Sequence, residues 1–262
     1  MIIDTSGGEP EWAELVEETL SARGINLSHV LLTHWHGDHT GGVPDLKRLY
    51  PHLKPHIYKN DPEEGQQNIA DGQIFEVEGA TVRSIHVPGH SEDHMCFILE
   101  EESAMFTGDT ILGHGTSAME DLGTFMNSME RMAGENCATG YSAHGVVIDD
   151  LPGKIRGELA QKYRRERQVF QALGRVRDRG VKSATLYDLV SEIYGNSLDE
   201  KTRLLALQPF IGEVLKKLAS DNKVAFEVRG GKKKWYAIGP QSRPLEVKSP
   251  LVNVYVQQPI AT

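Results

Sequence analysis

At 262 residues with 39% hydrophobic content, the chain can bury a substantial core and carry one main domain plus an appendage. No uninterrupted apolar stretch approaches the roughly 18 to 20 residues of a membrane span, and the opening residues lack the basic-then-apolar pattern of a signal peptide, so a cytoplasmic location is expected. The net charge of −9 hides a split: residues 1–150 hold 7 Lys and Arg against 26 Asp and Glu, whereas residues 151–262 hold 21 against 11. A basic second half suits an acidic partner, protein or nucleic acid, although a solvated helical face would carry the same charge.

The chain opens on a strand-like "MIIDTS", and "EPEWAELVEETLSARG" then sets Trp12, Leu15, Val16 and Leu20 at helical spacing with Gly24 as a stop. The short β-type run "HVLLT" (29–33) ends where a dense histidine loop begins. Further β signals fall at 55–59, 73–79, 81–88, 94–101 and 103–109, with a helix at 121–134. Strands with intervening helices imply an α/β layered domain over residues 1–150. From Leu151 the pattern becomes a long charged helix to about Arg179, two shorter helical stretches, and two strands around Gly230-Gly231. That order predicts a winged-helix-like α+β module over 151–239, followed by a loosely ordered tail at 240–262. Cys96 and Cys137 lack C-x-x-C spacing and read as buried, inert thiols.

The histidine loop "THWHGDH" carries the chemistry. His34 and His36 alternate with Thr33 and Trp35, so in extended backbone both imidazoles project to one side and can grip one ion. Asp38 and His39 follow where the chain turns and can face a second. Further ligands are needed, and three stretches offer them: His90 in "VPGHSEDH", Asp109 in "FTGDT" and His144 in "GYSAHG". Each follows a β-like run and sits beside a small residue, as a loop at a sheet edge requires. A lone histidine or Gly-Asp is more often a surface or turn residue, so these three gain weight only from their order behind the H-x-H-x-D-H run. His86, His94 and His114 lie outside that pattern and read as supporting or pocket residues. No G-x-S-x-G elbow offers a competing nucleophile.

"THWHGDH", "PGHSEDH", "TGD" and "AHG" in this order resemble the metallo-β-lactamase fold superfamily over roughly residues 1–150. The resemblance implies an αββα sandwich in which His34, His36 and His90 hold one zinc, Asp38, His39 and His144 hold the other, and Asp109 bridges them. It implies that Asp4 supports the histidine loop from behind, and that strands preceding this chain's first strand are missing. Ala143 departs from the pattern, since relatives commonly have glycine before the last histidine. Two metals about 3.5 to 4 Å apart can acidify a shared water and polarise an electrophile, so the implied chemistry is hydrolysis, with Asp38 and His39 as the candidate catalytic pair.

A longer stretch, "VPGHSEDHMCFILEEESAMFTGDTILGHGTSAMEDL", is similar to two groups that share this architecture. One comprises fungal lactamase-like thioesterases that release aromatic polyketides from acyl carrier protein; the other comprises metallo-β-lactamase-fold endoribonucleases acting on single-stranded RNA. His114 in "ILGHGTS" favours the thioesterases, with an acyl carrier protein as partner and two zinc ions per chain as cofactors. RNA is the alternative substrate.

Overall fold

The run around Val30–Leu31 is apolar at every position because both of its faces are covered. Val30 and Leu32 join Leu27, Val43, Leu46, Leu53 and Ile57 in one core, against which Trp12, Val16 and Leu20 pack. Leu31 points the other way, into a second core with Phe75, Val82, Met95 and Phe97. Successive side chains of one strand thus feed a helix-facing layer and a sheet-facing layer.

This computed structural model describes residues 1–238, and the expectation for 240–262 lies outside them. The chain divides into two compact units, Met1–Leu159 and Ala160–Thr262. In the first, β1 (Ile2–Ile3), β2 (Val30–Leu31), β3 (Ile57–Lys59) and β4 (Gln67–Asn68) form an all-parallel sheet in that order. Three helices, α1 (Pro10–Arg23), α2 (Gly37–Thr40) and α3 (Val43–Leu49), lie between its strands in sequence. Proline in its first turn starts α1, and Gly24 at φ 62° ends it.

The second sheet runs β5 (Ile74–Val77), β6 (Ala80–His86), β7 (Met95–Leu99), β8 (Ala104–Gly108) and β9 (Thr139–Ser142). Its neighbours are antiparallel except β8 and β9. A parallel pair needs a crossover, and α4 (Leu122–Gly134) supplies it. The Asp121 carboxylate caps α4 by accepting from Thr124 N, while Phe125, Met126, Met129 and Met132 are buried. Helices outside two stacked sheets make the αββα sandwich. The short elements α3, β4 and β9 have no period of their own to read; β4 is two exposed residues. Cys96 and Cys137 are free and buried, and burial pushes the Cys137 thiol up to about 11.

Helix α5 (Leu151–Asp178) crosses the boundary between the units. The second unit adds α6 (Leu186–Tyr194), α7 (Glu200–Thr202), a π-helical turn at Arg203–Leu207, α8 (Gln208–Ser220), and the antiparallel hairpin of β10 (Val224–Arg229) and β11 (Lys232–Ala237). Thr185 and Asp188 form a reciprocal capping box on α6. Gly230 and Gly231, at φ 58° and 69°, make the hairpin turn, which requires left-handed backbone at both positions. Ala184 pairs with Trp235 through an isolated bridge, adding a single-residue third strand to the hairpin. The second of the two shorter helical stretches expected from the sequence is interrupted by the π-helical turn. No helix among the described residues is long and apolar enough to cross a membrane.

Candidate metal centre

Each ligand candidate leaves the end of a strand. His34 and His36 follow β2, Asp38 and His39 sit on α2, His90 follows β6, Asp109 follows β8 and His144 follows β9. The structure brings all seven together in two groups. His34, His36, His90 and Asp109 each offer one ligand atom within 4.8 Å of the others, and Asp38, His39 and His144 do the same. Asp109 faces both: its Oδ2 lies 3.6 Å from His90 Nε2, and its Oδ1 lies 3.5 Å from His39 Nε2 and 3.4 Å from His144 Nε2.

In the first group His34 Nε2, His36 Nδ1 and His90 Nε2 are separated by 2.8, 3.1 and 3.2 Å. Nitrogens at tetrahedral Zn–N distance would stand about 3.3 Å apart, so the spacing fits one small cation. The tautomers agree. His34 Nδ1–H donates to Thr33 Oγ1, whose own hydrogen goes to Asp4, and His90 Nδ1–H donates to the Ala118 carbonyl. Both Nε2 lone pairs are therefore left pointing inward. These two lone pairs and the His36 ring nitrogen converge on one small space, where a cation would satisfy all three. Burial, and then the charges of the neighbouring histidines, hold the His34 imidazole far below its ordinary pKa, so it is neutral and able to ligate.

The second group is more electronegative. His39 Nδ1–H donates to Asp4 Oδ2 at 2.8 Å, which turns Nε2 toward Asp38, 3.6 Å away, and Asp109. His39 Nε2 and Asp109 Oδ1 are both buried without a hydrogen-bond partner among the described residues. A proton on His39 Nε2, or a metal ion between the two atoms, would satisfy both. Burial alone would lower the His39 pKa, but the carboxylates of Asp109 and Asp4 outweigh it and lift it to about 10. A metal at this place would do what that proton does. The donor set, imidazole nitrogen with few carboxylates, is the one that suits zinc and similar transition ions.

Residues behind the ligands fix them. Asp4, in left-handed backbone at φ 59°, accepts from Thr33 N at 2.7 Å, from Thr33 Oγ1 at 2.8 Å and from His39. His94, fully buried, accepts from Asp109 N at 3.0 Å and so fixes the backbone that carries the Asp109 carboxylate. Burial, then the nearby histidine charge, depresses its pKa to about 3. Lys59 and Asp93 form a buried ion pair at 2.6 Å that anchors the loop of His90, with Ser91 on the other Asp93 oxygen. The sequence places His94 among supporting residues but carries no signal for the Lys59–Asp93 pair, whose partners lie 34 positions apart. His86 bonds the Glu92 carbonyl and stays outside the cluster, as does His114. Ala143 is not in left-handed backbone; the turn after β9 takes that conformation at Gly145, φ 95°. The alanine therefore needs none of glycine's freedom.

A profile of the Metallo-beta-lactamase superfamily matches residues 1–168, which contain the whole cluster, and the chain belongs to that superfamily. More narrowly, the chain is 74% identical over 238 residues to an atrochrysone carboxyl ACP thioesterase of Claviceps purpurea (strain 20.1), covering 91% of this chain and 77% of that one. A second atrochrysone carboxyl ACP thioesterase, from Pseudocercospora fijiensis (strain CIRAD86), is 69% identical with 91% and 72% covered. Among solved structures, a metallo-beta-lactamase family protein of Thermus thermophilus superposes with TM-score 0.59 at 20% identity, covering 90% of this chain and 89% of its own. A beta-lactamase domain protein of Burkholderia ambifaria gives 0.67 at 16%, with 90% and 81% covered. Those two establish likeness of fold.

Proposed function

We propose that this chain is a zinc-dependent thioesterase that releases an aromatic polyketide from an acyl carrier protein. His34, His36 and His90 would hold one ion, Asp38, His39 and His144 the other, with Asp109 shared. Bound there, the two ions supply a water of lowered pKa and a positive pole for the substrate's carbonyl oxygen. The observation that carries the reading is the 74% identity to a carrier-protein thioesterase across 91% of the chain, second unit included.

The chain's own residues have the parts such a reaction needs. Asp38 is the most open of the carboxylates, its side chain 56% exposed, with Oδ2 3.2 Å from His144 Nε2. That exposure supports Asp38 as the group that would accept a proton from an attacking water. His39 is held by Asp4 and cannot swing. Because a thiolate is a good leaving group, with an ordinary pKa of about 8.5, no separate general acid is required. The test is turnover by protein stripped of metal and then given two equivalents of zinc. Carrier-bound aromatic thioester should be hydrolysed only after zinc is restored, and His36→Ala should abolish it. Equal hydrolysis by stripped and zinc-restored protein would overturn the reading.

A further inference from the structure

The second unit has a cleft of about 430 Å³ that belongs to none of this chemistry. Three lysines line it, Lys216 from α8 and Lys232 and Lys233 from β11, beside the uncharged Thr185 and Gln208. Leu186, Tyr187 and Trp235 give the same cleft apolar and aromatic lining. Lys216 is tied to Glu213, but neither Lys232 nor Lys233 has a carboxylate partner among the described residues. The Lys233 ammonium is instead held over two rings, 3.8 Å from the centroid of Phe226 and 4.3 Å from that of Trp235. A cation held by ring faces rather than by an anion loses little freedom when an anion arrives. Tyr187 and Phe226 are each half exposed, so the lysines have apolar surface beside them.

We infer that this lysine-lined cleft is where the acyl carrier protein docks, through the acidic face such carriers commonly present. The inference rests on the thioesterase reading for its choice of partner. Charge decides between this occupant and RNA. Residues 1–150, which contain the histidine and aspartate cluster, carry 26 acidic against 7 basic residues, a balance that disfavours a polyanion as substrate. A carrier protein meets only the basic unit with its acidic face and delivers an acyl thioester, which is uncharged at the reacting carbon. Attraction of this kind sets encounter and orientation rather than chemistry, so its loss falls on KM and on binding.

The test uses the full chain with Lys232 and Lys233, both exposed, changed to glutamate. Binding of holo carrier protein without an acyl group is measured by titration, alongside hydrolysis of one aromatic acyl group presented on the carrier and on N-acetylcysteamine. The double variant should bind carrier about tenfold or more weakly, with KM for the carrier substrate raised to match, kcat kept and the small thioester unaffected. Lys232→Arg/Lys233→Arg should bind as the parent does. Equal carrier binding by parent and glutamate variant overturns the inference, and so does lysine-dependent binding of a single-stranded oligoribonucleotide in preference to carrier. Binding is read without turnover, so a chain that hydrolyses neither thioester refutes the thioesterase reading and leaves the docking result to stand or fall by itself.

Discussion

Asp4→Asn isolates the charge of one half-buried carboxylate without altering the backbone, since asparagine tolerates the left-handed conformation that Asp4 adopts at φ 59°. The carboxylate accepts three hydrogen bonds: Oδ1 from Thr33 N, and Oδ2 from Thr33 Oγ1 and His39 Nδ1. The amide has one acceptor oxygen. If that oxygen stays on Thr33 N, the amide NH2 confronts His39 Nδ1 and drives its proton to Nε2, where it blocks the lone pair meant for the metal. Loss of one charge-assisted bond should cost the metal-free protein about 1.5 to 3 kcal/mol. Supporting residues of this sort are worth about 10- to 100-fold in metal affinity. The loss should fall mainly on the ion held by Asp38, His39 and His144. Chelator competition, with two zinc ions resolved, reads the affinities, and urea unfolding reads the stability. Affinities of both ions within about twofold of the parent would refute the assignment of Asp4, far below the factor expected of such a partner.

The raised pKa of His39 makes the metal-free protein sensitive to alkali. Stability gained from the bound proton is fully present below its ordinary value of 6.5 and is lost as pH rises through about 10, so urea midpoints of stripped protein should fall between pH 7 and 10, and zinc should flatten that fall. Asp109→Asn should weaken both ions together, because Asp109 faces both groups, whereas His90→Ala should empty mainly one; metal analysis of each variant distinguishes them. Gly108→Ala would put a Cβ 2.5 Å from His94 Nε2 at a residue with φ 47°. Left-handed strain plus the displaced His94–Asp109 bond should cost about 2 to 4 kcal/mol in urea unfolding, with metal content lowered as well.

The clustering of these seven residues is legible from sequence because H-x-H-x-D-H is rare by chance, and the partners stand in order behind strands with strong β patterns. The sandwich is legible for a related reason, since strands buried on both faces, as β2 is, read as unbroken apolar runs. What supports the ligands is harder to see. Thr33 is an ordinary threonine in sequence, yet its hydroxyl links Asp4 to His34. Lys59 and Asp93 each look like common surface charges until the fold buries them against one another. Such pairs arise from tertiary packing and leave no local period. Ala143 shows the converse: a departure from the family pattern suggests a cost in backbone freedom, but the structure uses that freedom two residues later, at Gly145.

Whether the histidine and aspartate cluster, loaded with zinc, hydrolyses a carrier-bound thioester is decided by giving one zinc-restored preparation, at equal concentration, an aromatic acyl group on holo acyl carrier protein and a single-stranded RNA. Zinc-dependent release of the acyl group is expected, faster from the carrier than from a small thiol, with the RNA intact and with activity lost in His36→Ala. Zinc-dependent cleavage of the RNA that His36→Ala abolishes, with no acceleration of carrier-bound thioester hydrolysis, would contradict it.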